Sequence, residues 1–344
     1  MVKQNYRNMK DVELRNKFRE KIKLLPDFVY DYFISAENTT TPLTRINYLL
    51  DLDIFFDYIA GHVFAKNKKD ITIFDIENIK SKDIERYLSF LSGYEKNGEF
   101  RSNSDTAKAR KLSSIRALFK YLYTSEMISQ NVASIVKTPK IRSKEIVRLE
   151  TDEVAKLINL AENPVNMTKQ QQGFNKHTQK RDVAILSLML GTGIRVSECV
   201  GINNDDIDFK NNAFTITRKG GNRVVLYFSD EVKEALIAYI KEKESKNTIP
   251  ENENALFLSL QNKRIGVRAV ENMVKKYAKV VSPLKKISPH KLRSTYGTNL
   301  YRETKDIYIV ADVLGHKDVN TTKKHYAAIS EDLRRNAANV VKLR

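Results

Sequence analysis

The sequence predicts a mainly α-helical chain with one small antiparallel β-sheet, an α+β protein built as two domains. Three observations predict this. Glycine and proline number only 12 and 7 among 344 residues, about half their usual share, while 41% of residues are apolar. The apolar residues recur at helical spacing in two long blocks, and one stretch, residues 206–228, alternates with period two instead. At roughly 150 residues per domain, each block is long enough to bury its own core.

The first block, residues 1–136, opens its clearest helix at Thr41-Pro42, a cap and first-turn pair followed by Leu49, Leu52, Phe56 and Ile59. Further helices are expected over 84–94 and 107–123. In the last of these Leu112, Ile115, Leu118, Phe119 and Leu122 share one arc, and Arg110, Ser113, Arg116 and Lys120 share the next. Residues 137–148, KTPKIRSKEIVR, have no helical apolar period and read as a basic interdomain linker carrying Lys140, Arg142 and Lys144. Residues 101–150 hold eleven Lys and Arg against four Asp and Glu. A basic helix running into a basic linker is expected to clamp a duplex.

The second block, residues 149–344, begins with an N-cap signal at Thr151 ahead of an amphipathic helix to about 161. The polar stretch 163–179 reads as a surface loop. VAILSLML then forms an apolar helix stopped by Gly191-Thr192-Gly193. Phe214 and Ile216 alternate with Thr215 and Thr217, and Val224, Leu226 and Phe228 follow Lys219-Gly220-Gly221-Asn222, so 206–228 is a hairpin with a basic tip that includes Arg218 and Arg223. Helices are expected over 230–245, 266–280 and 290–301, with a final amphipathic segment over 330–344.

Sixty Lys and Arg against 42 Asp and Glu give a formal charge of +18, an excess that attracts polyanions and makes double-stranded DNA the expected partner. No apolar run approaches the roughly 18 residues of a spanning helix, so no membrane partner is expected, and the N-terminus does not resemble a secretory signal. A cytoplasmic protein is expected. The lone cysteine, Cys199, permits no intramolecular disulfide and reads as a small buried hydrophobe.

Three of the five histidines, His290, His316 and His325, lie near the C-terminus at spacings that match no common zinc pattern. Asp205, Asp206 and Asp208 are the alternative metal ligands and read instead as a polar approach to the hairpin. Ser-Pro-His290-Lys-Leu-Arg293 sets a ring and a guanidinium three apart on a helix opened by Pro289, where both can face one anion. Leu314-Gly315-His316 ends a helix at glycine, and Tyr326 follows ten residues later. In Gly191-Thr-Gly-Ile-Arg195-Val-Ser-Glu198 an arginine opens a helix with a carboxylate one turn on.

The ordered set Arg195, Lys219, His290, Arg293, His316, Tyr326 closely resembles the signature of the tyrosine recombinases over 149–344, and more loosely the first block resembles their helical core-binding domain. The resemblance implies that Tyr326 attacks a phosphodiester, Arg195 and Arg293 clamp the phosphate, His290 and His316 support it, Lys219 protonates the 5′ oxygen, and Glu198 supports Arg195. Residue chemistry agrees, since a tyrosine oxygen can form a covalent phosphotyrosine and arginines hold non-bridging oxygens bidentately. Fixed cations then suffice, and no metal or cofactor is expected. Leu24-Leu-Pro-Asp-Phe-Val-Tyr-Asp-Tyr-Phe33 resembles the single-recombinase Xer group, and an arm-binding domain has no room ahead of the first core helices. That implies chromosome dimer resolution in cell division, at inverted-repeat half-sites, by a homotetramer on two sites and with a possible DNA translocase. A mobile-element integrase or resolvase is the alternative within the family, and a type IB topoisomerase the alternative outside it. The segment 330–344 is expected to dock on a neighbouring protomer, with packing on its own domain as the rival.

Overall fold

The computed structural model describes residues 6–96, 98–141, 147–164, 168–218, 221–245, 250, 253–316 and 318–319. The chain divides into two compact units, Met1–Lys144 and Glu145–Arg344. In the first, α1 (Tyr6–Ile22), α2 (Asp27–Ser35) and α3 (Pro42–Ile59) are followed by a π-helical turn, Ala60–Phe64, and by α4 (Ile73–Glu77) and α5 (Ser81–Phe90). A short hairpin, β1 (Tyr94–Lys96) and β2 (Glu99–Arg101), leads into α6 (Asp105–Thr124). Thr41 caps α3 by accepting the Thr44 N–H at 3.2 Å, with Pro42 in the first turn. The core forms where Leu49, Leu52, Phe55 and Phe56 of α3 meet Leu112, Ile115, Leu118 and Phe119 of α6, all at most 1% exposed. Each such side chain contributes about 1.5–3 kcal/mol by leaving water. The helix expected over 84–94 in fact ends at Phe90, because the chain turns at Gly93 to start the β1–β2 hairpin that the sequence pattern did not show.

The second unit runs α7 (Thr151–Glu162), α8 (Lys169–Thr192), α9 (Val196–Cys199), β3 (Ile207–Asp208), β4 (Ala213–Thr217), β5 (Arg223–Tyr227), α10 (Asp230–Glu244), α11 (Val267–Val281), α12 (Pro289–Thr304) and α13 (Ile307–Leu314). The sheet is antiparallel in the order β3-β4-β5, with Phe214 opposite Leu226 and Ile216 opposite Val224. Its buried face carries Phe214, Ile216 and Leu226, as the period-two pattern predicts. Two expectations are corrected. The α7 cap is Glu150, whose N–H donates to Glu153 Oε2 at 2.8 Å, and Thr151 is the first helical residue.

The stretch 163–179 is not all loop, since α8 starts at Lys169. Its polar residues Asn175 and Thr178 are buried because distant partners satisfy them: the Tyr277 hydroxyl lies 2.5 Å from Asn175 Oδ1 and 2.9 Å from Asp182 Oδ2, and Thr178 donates to Asp182. The apolar half of α8 buries Val183, Ala184, Ile185, Leu186, Leu188 and Met189, making it the central helix against which α7, α10 and α12 pack.

Candidate active site

The last four carbonyls of a helix have no partners within it, and at α13 side chains from three other elements supply them. The helix closes in a Schellman motif: Gly315, at φ 60°, donates to Asp312 O at 2.8 Å and His316 N donates to Ala311 O at 2.9 Å. Arg218, at the end of β4, donates to Asp312 O at 3.3 Å and Val313 O at 2.7 Å. Arg293 of α12 donates to Leu314 O, and Arg195 donates to Gly315 O at 3.3 Å. The guanidiniums of Arg195, Arg218 and Arg293 are thereby gathered on one helix terminus, whose negative dipole end favours cations.

Arg195 and Arg293 each have a second anchor. Arg195 stands at the N-cap of α9, where its N–H and its Nη1 both donate to Glu198, at 3.0 and 2.8 Å. Arg195 keeps 38% of its side chain exposed while Glu198 keeps 7%, so the carboxylate holds the guanidinium from below and leaves a face open. Arg293, 5% exposed, donates to Gly193 O at 2.6 Å. Two glycines make room here, Gly193 for the Tyr296 ring and Gly315 for Arg218. A Cβ on Gly193, at φ 63°, would stand 2.4 Å from the Tyr296 ring, and a Cβ on Gly315 would stand 2.0 Å from the Arg218 guanidinium.

The carbonyl partners carry no net charge, and Glu198 is a carboxylate bonded to Arg195. Burial lowers the Arg218 pKa from its ordinary value, with the Glu198 and Asp312 charges raising and Arg195 lowering it, and the guanidinium remains a cation. The cluster therefore holds excess positive charge, suited to a phosphate whose two non-bridging oxygens take one arginine each. His316, half-buried, follows directly on Gly315, and His290 lies exposed in the first turn of α12, one turn before Arg293.

Arg195, Glu198, Arg293 and His316, chosen from sequence, are thus brought together with Arg218; Lys219 and Tyr326 lie outside the described residues. So do Arg142, Lys144, His325 and the segment 330–344. The remaining residues read as DNA contacts fare differently. Lys120 and Lys140 are exposed, and Arg223 is 72% exposed with Asp206 at 3.9 Å. Arg110 is paired with the buried Asp51. Arg116 is spent inside its own unit, donating to Ala133 O at 3.2 Å, Thr138 Oγ1 at 2.9 Å and Val136 O, which ties the exit of the helical unit to α6.

Asp206 and Asp208 cap turns, accepting from Asn203 N and from Lys210 N, both at 2.9 Å, and Asp205 accepts from Asn254. Among the described residues no group of His, Cys, Asp and Glu is placed to hold a metal ion, and no helix is long and apolar enough to cross a membrane. Sequence reasoning missed the anchoring of Arg218 and the role of the α13 carbonyls. The glycine that ends the helix in Leu314-Gly315-His316 was the available signal.

The model of the phage integrase family matches residues 147–332. Over 337 residues the chain is 34% identical to the tyrosine recombinase XerC of Caldanaerobacter subterraneus subsp. tengcongensis, covering 94% of this chain and 88% of that protein. It is 30% identical over 347 residues to the tyrosine recombinase XerS of Streptococcus pneumoniae, covering 92% and 96%. Among solved structures, its fold is similar to that of the XerH site-specific recombinase bound to palindromic difH substrate in a post-cleavage complex, with a TM-score of 0.67 at 18% identity, covering 87% of this chain and 80% of that one. It is also similar to that of a lambda integrase dimer bound to a COC′ core site, with a TM-score of 0.60 at 17% identity, covering 87% and 75%.

Proposed function

Because the chain belongs to the phage integrase family of tyrosine recombinases, we propose that it is a site-specific DNA recombinase that breaks and rejoins strands through a 3′-phosphotyrosine. The observation that carries this reading is the gathering of Arg195 and Arg293 on the C-terminus of α13, with Glu198 behind Arg195 and His316 next in the chain after Gly315. Such a set stabilises charge developing on non-bridging phosphate oxygens, from donors already in place before the reaction. Tyr326, which matches the family's nucleophile, attacks the scissile phosphorus through its hydroxyl oxygen and releases the hydroxyl proton to solvent. The bond from phosphorus to the 5′ oxygen breaks, and Lys219 gives that oxygen its proton while His290 and His316 donate to the phosphate. The phosphotyrosine retains the ester's energy, so the 5′ hydroxyl of an exchanged strand can reverse the attack and rejoin the DNA.

The substrate is double-stranded DNA, and its charge explains the basic balance of the chain. The near end-to-end match to XerC and XerS supports an Xer role: resolving chromosome dimers in the cytoplasm, at the nucleoid, on inverted-repeat half-sites. Two bound sites bring four copies together, since head-to-tail contacts close into a ring, and a DNA translocase is the accessory such a role calls for. A nicked suicide duplex tests the chemistry. The wild type traps a covalent adduct, and Tyr326→Phe binds the site but forms none; an adduct of undiminished yield in the Phe variant overturns the assignment.

A further inference from the structure

We propose that Arg218 is a positioning residue: it pins the tip of the β4–β5 hairpin, and with it the covalently adjacent Lys219, to the C-terminus of α13. The inference rests on the reading of Lys219 as the proton donor to the leaving oxygen. Arg218 is where the hairpin closes, its N–H donating to Asn222 O at 2.9 Å and its carbonyl accepting from Gly221 N at 3.0 Å. From there its guanidinium reaches 94 and 95 residues along the chain to fork onto Asp312 O and Val313 O. The same helix end takes Arg293 at Leu314 O and Arg195 at Gly315 O. One anchor therefore holds both the phosphate clamp and the root of the proton donor.

Three features separate this from a plain DNA contact. The fork uses both terminal nitrogens on backbone acceptors, a geometry that lysine's point charge cannot reproduce. Gly315 leaves the space that the fork occupies, since a Cβ there would lie 2.0 Å from Arg218 Nη1. The chemistry also needs a tether here. A general acid must come within about 2.6–3.2 Å of the oxygen it protonates, and displacement by about 1 Å can cost about 10²-fold in rate.

The test uses the full chain on nicked suicide duplexes that differ in one atom, oxygen or sulfur at the 5′ bridging position. With oxygen, the P–O bond breaks and the oxygen takes a proton. With sulfur, the P–S bond breaks and a thiolate leaves without one. Arg218→Ala and Arg218→Lys are expected to cleave the oxygen substrate about 10- to 100-fold more slowly than wild type. On the sulfur substrate both should recover to near the wild-type rate, with the salt dependence of DNA binding unchanged.

Equal losses on both substrates overturn the inference. So does rescue of the oxygen substrate by Arg218→Lys together with a salt slope about 0.9 shallower in Arg218→Ala, the result for a direct phosphate contact. Lys219→Ala run in parallel separates the two levels. If sulfur rescues Lys219→Ala but not the Arg218 variants, positioning alone fails; if sulfur does not rescue Lys219→Ala, its assignment as proton donor fails and the inference falls with it. Arg218→Lys keeps the cation and decides the case if the alanine variant does not fold.

Discussion

Both units bury arginine or lysine against acceptors, and the difference lies in the charge of the acceptor. In the helical unit Asp51, 1% exposed, accepts from Lys111 at 2.9 Å, from Ser114 at 3.1 Å and from Arg110. A carboxylate there neutralises charge brought in by α6, and the result is a strut between α3 and α6. At the end of α13 the acceptors of Arg195, Arg218 and Arg293 include backbone carbonyls, which fix the donors without cancelling their charge. In the first arrangement the buried charges, Asp51 and Lys111, cancel, and the second cation, Arg110, is half-exposed and screened by water. In the second, three guanidiniums meet mainly uncharged carbonyls, an arrangement suited to a phosphate, and we propose it as the site.

The largest expected effect comes from breaking the strut. Asp51→Ala strands Lys111, whose side chain is 6% exposed, and is expected to destabilise the protein by roughly 3–5 kcal/mol in denaturant titration. Strand cleavage per folded molecule should stay near wild type. Replacing both partners, Asp51→Leu with Lys111→Met, should recover most of that loss because no buried unpaired charge remains and the half-exposed Arg110 is solvated. Cleavage that falls in step with the Asp51 substitution in still-folded protein would erase the distinction between the two regions.

The contrast also marks what a sequence reveals. The packing arc of α6 was legible because apolar residues repeat at helical spacing, and so was the Arg195–Glu198 pair, since one helical turn is local. That Arg116 and Lys120, on one arc, have different fates was not legible. Arg116 finds its acceptors at Ala133, Val136 and Thr138, which only the fold brings near, whereas Lys120 stays exposed. The same reason hid the start of α8, whose Asn175 and Asp182 are satisfied by Tyr277 of α11. Period-two alternation showed β4 and β5, but a two-residue β3 is too short to carry a pattern. The order of the signature residues was readable, while the carbonyl platform under them is backbone and leaves no mark beyond Gly315.

A smaller effect follows for the exposed cations. Lys120→Ala and Lys140→Ala should each make log K against log salt shallower by about 0.9, while Arg116→Ala, whose guanidinium is spent internally, should leave the slope unchanged and lower stability instead. Filter-binding or anisotropy titrations across salt concentration measure this. A shallower slope for Arg116→Ala would place that side chain on DNA.

The smallest effect, none on cleavage, is expected at Cys199, next in sequence to Glu198. Burial first, then the Glu198 charge, pushes its thiol up to about 12, and the side chain is fully buried. A thiol raised in the folded state contributes stability that is complete below its unfolded pKa, about 8.5, and is lost as pH rises from there through about 12. Iodoacetamide at pH 8 should leave the folded protein unmodified and fully active over a time in which the urea-unfolded chain is alkylated. Rapid alkylation of the folded form would contradict this burial.

The claim that the α13 platform presents charge to the scissile phosphate is tested most directly by removing the charge from the substrate. On a suicide duplex with a normal phosphate, Arg293→Ala and Arg195→Ala are each expected to slow single-turnover cleavage by about 10²–10³-fold. With a methylphosphonate at the scissile position, where a methyl replaces one charged oxygen, the arginine facing that oxygen has nothing to neutralise. At least one of the two variants should then cleave within about tenfold of the wild type acting on the same substrate. Losses of equal size on phosphate and methylphosphonate for both variants would show that the arginines hold the fold together and do not clamp the phosphate.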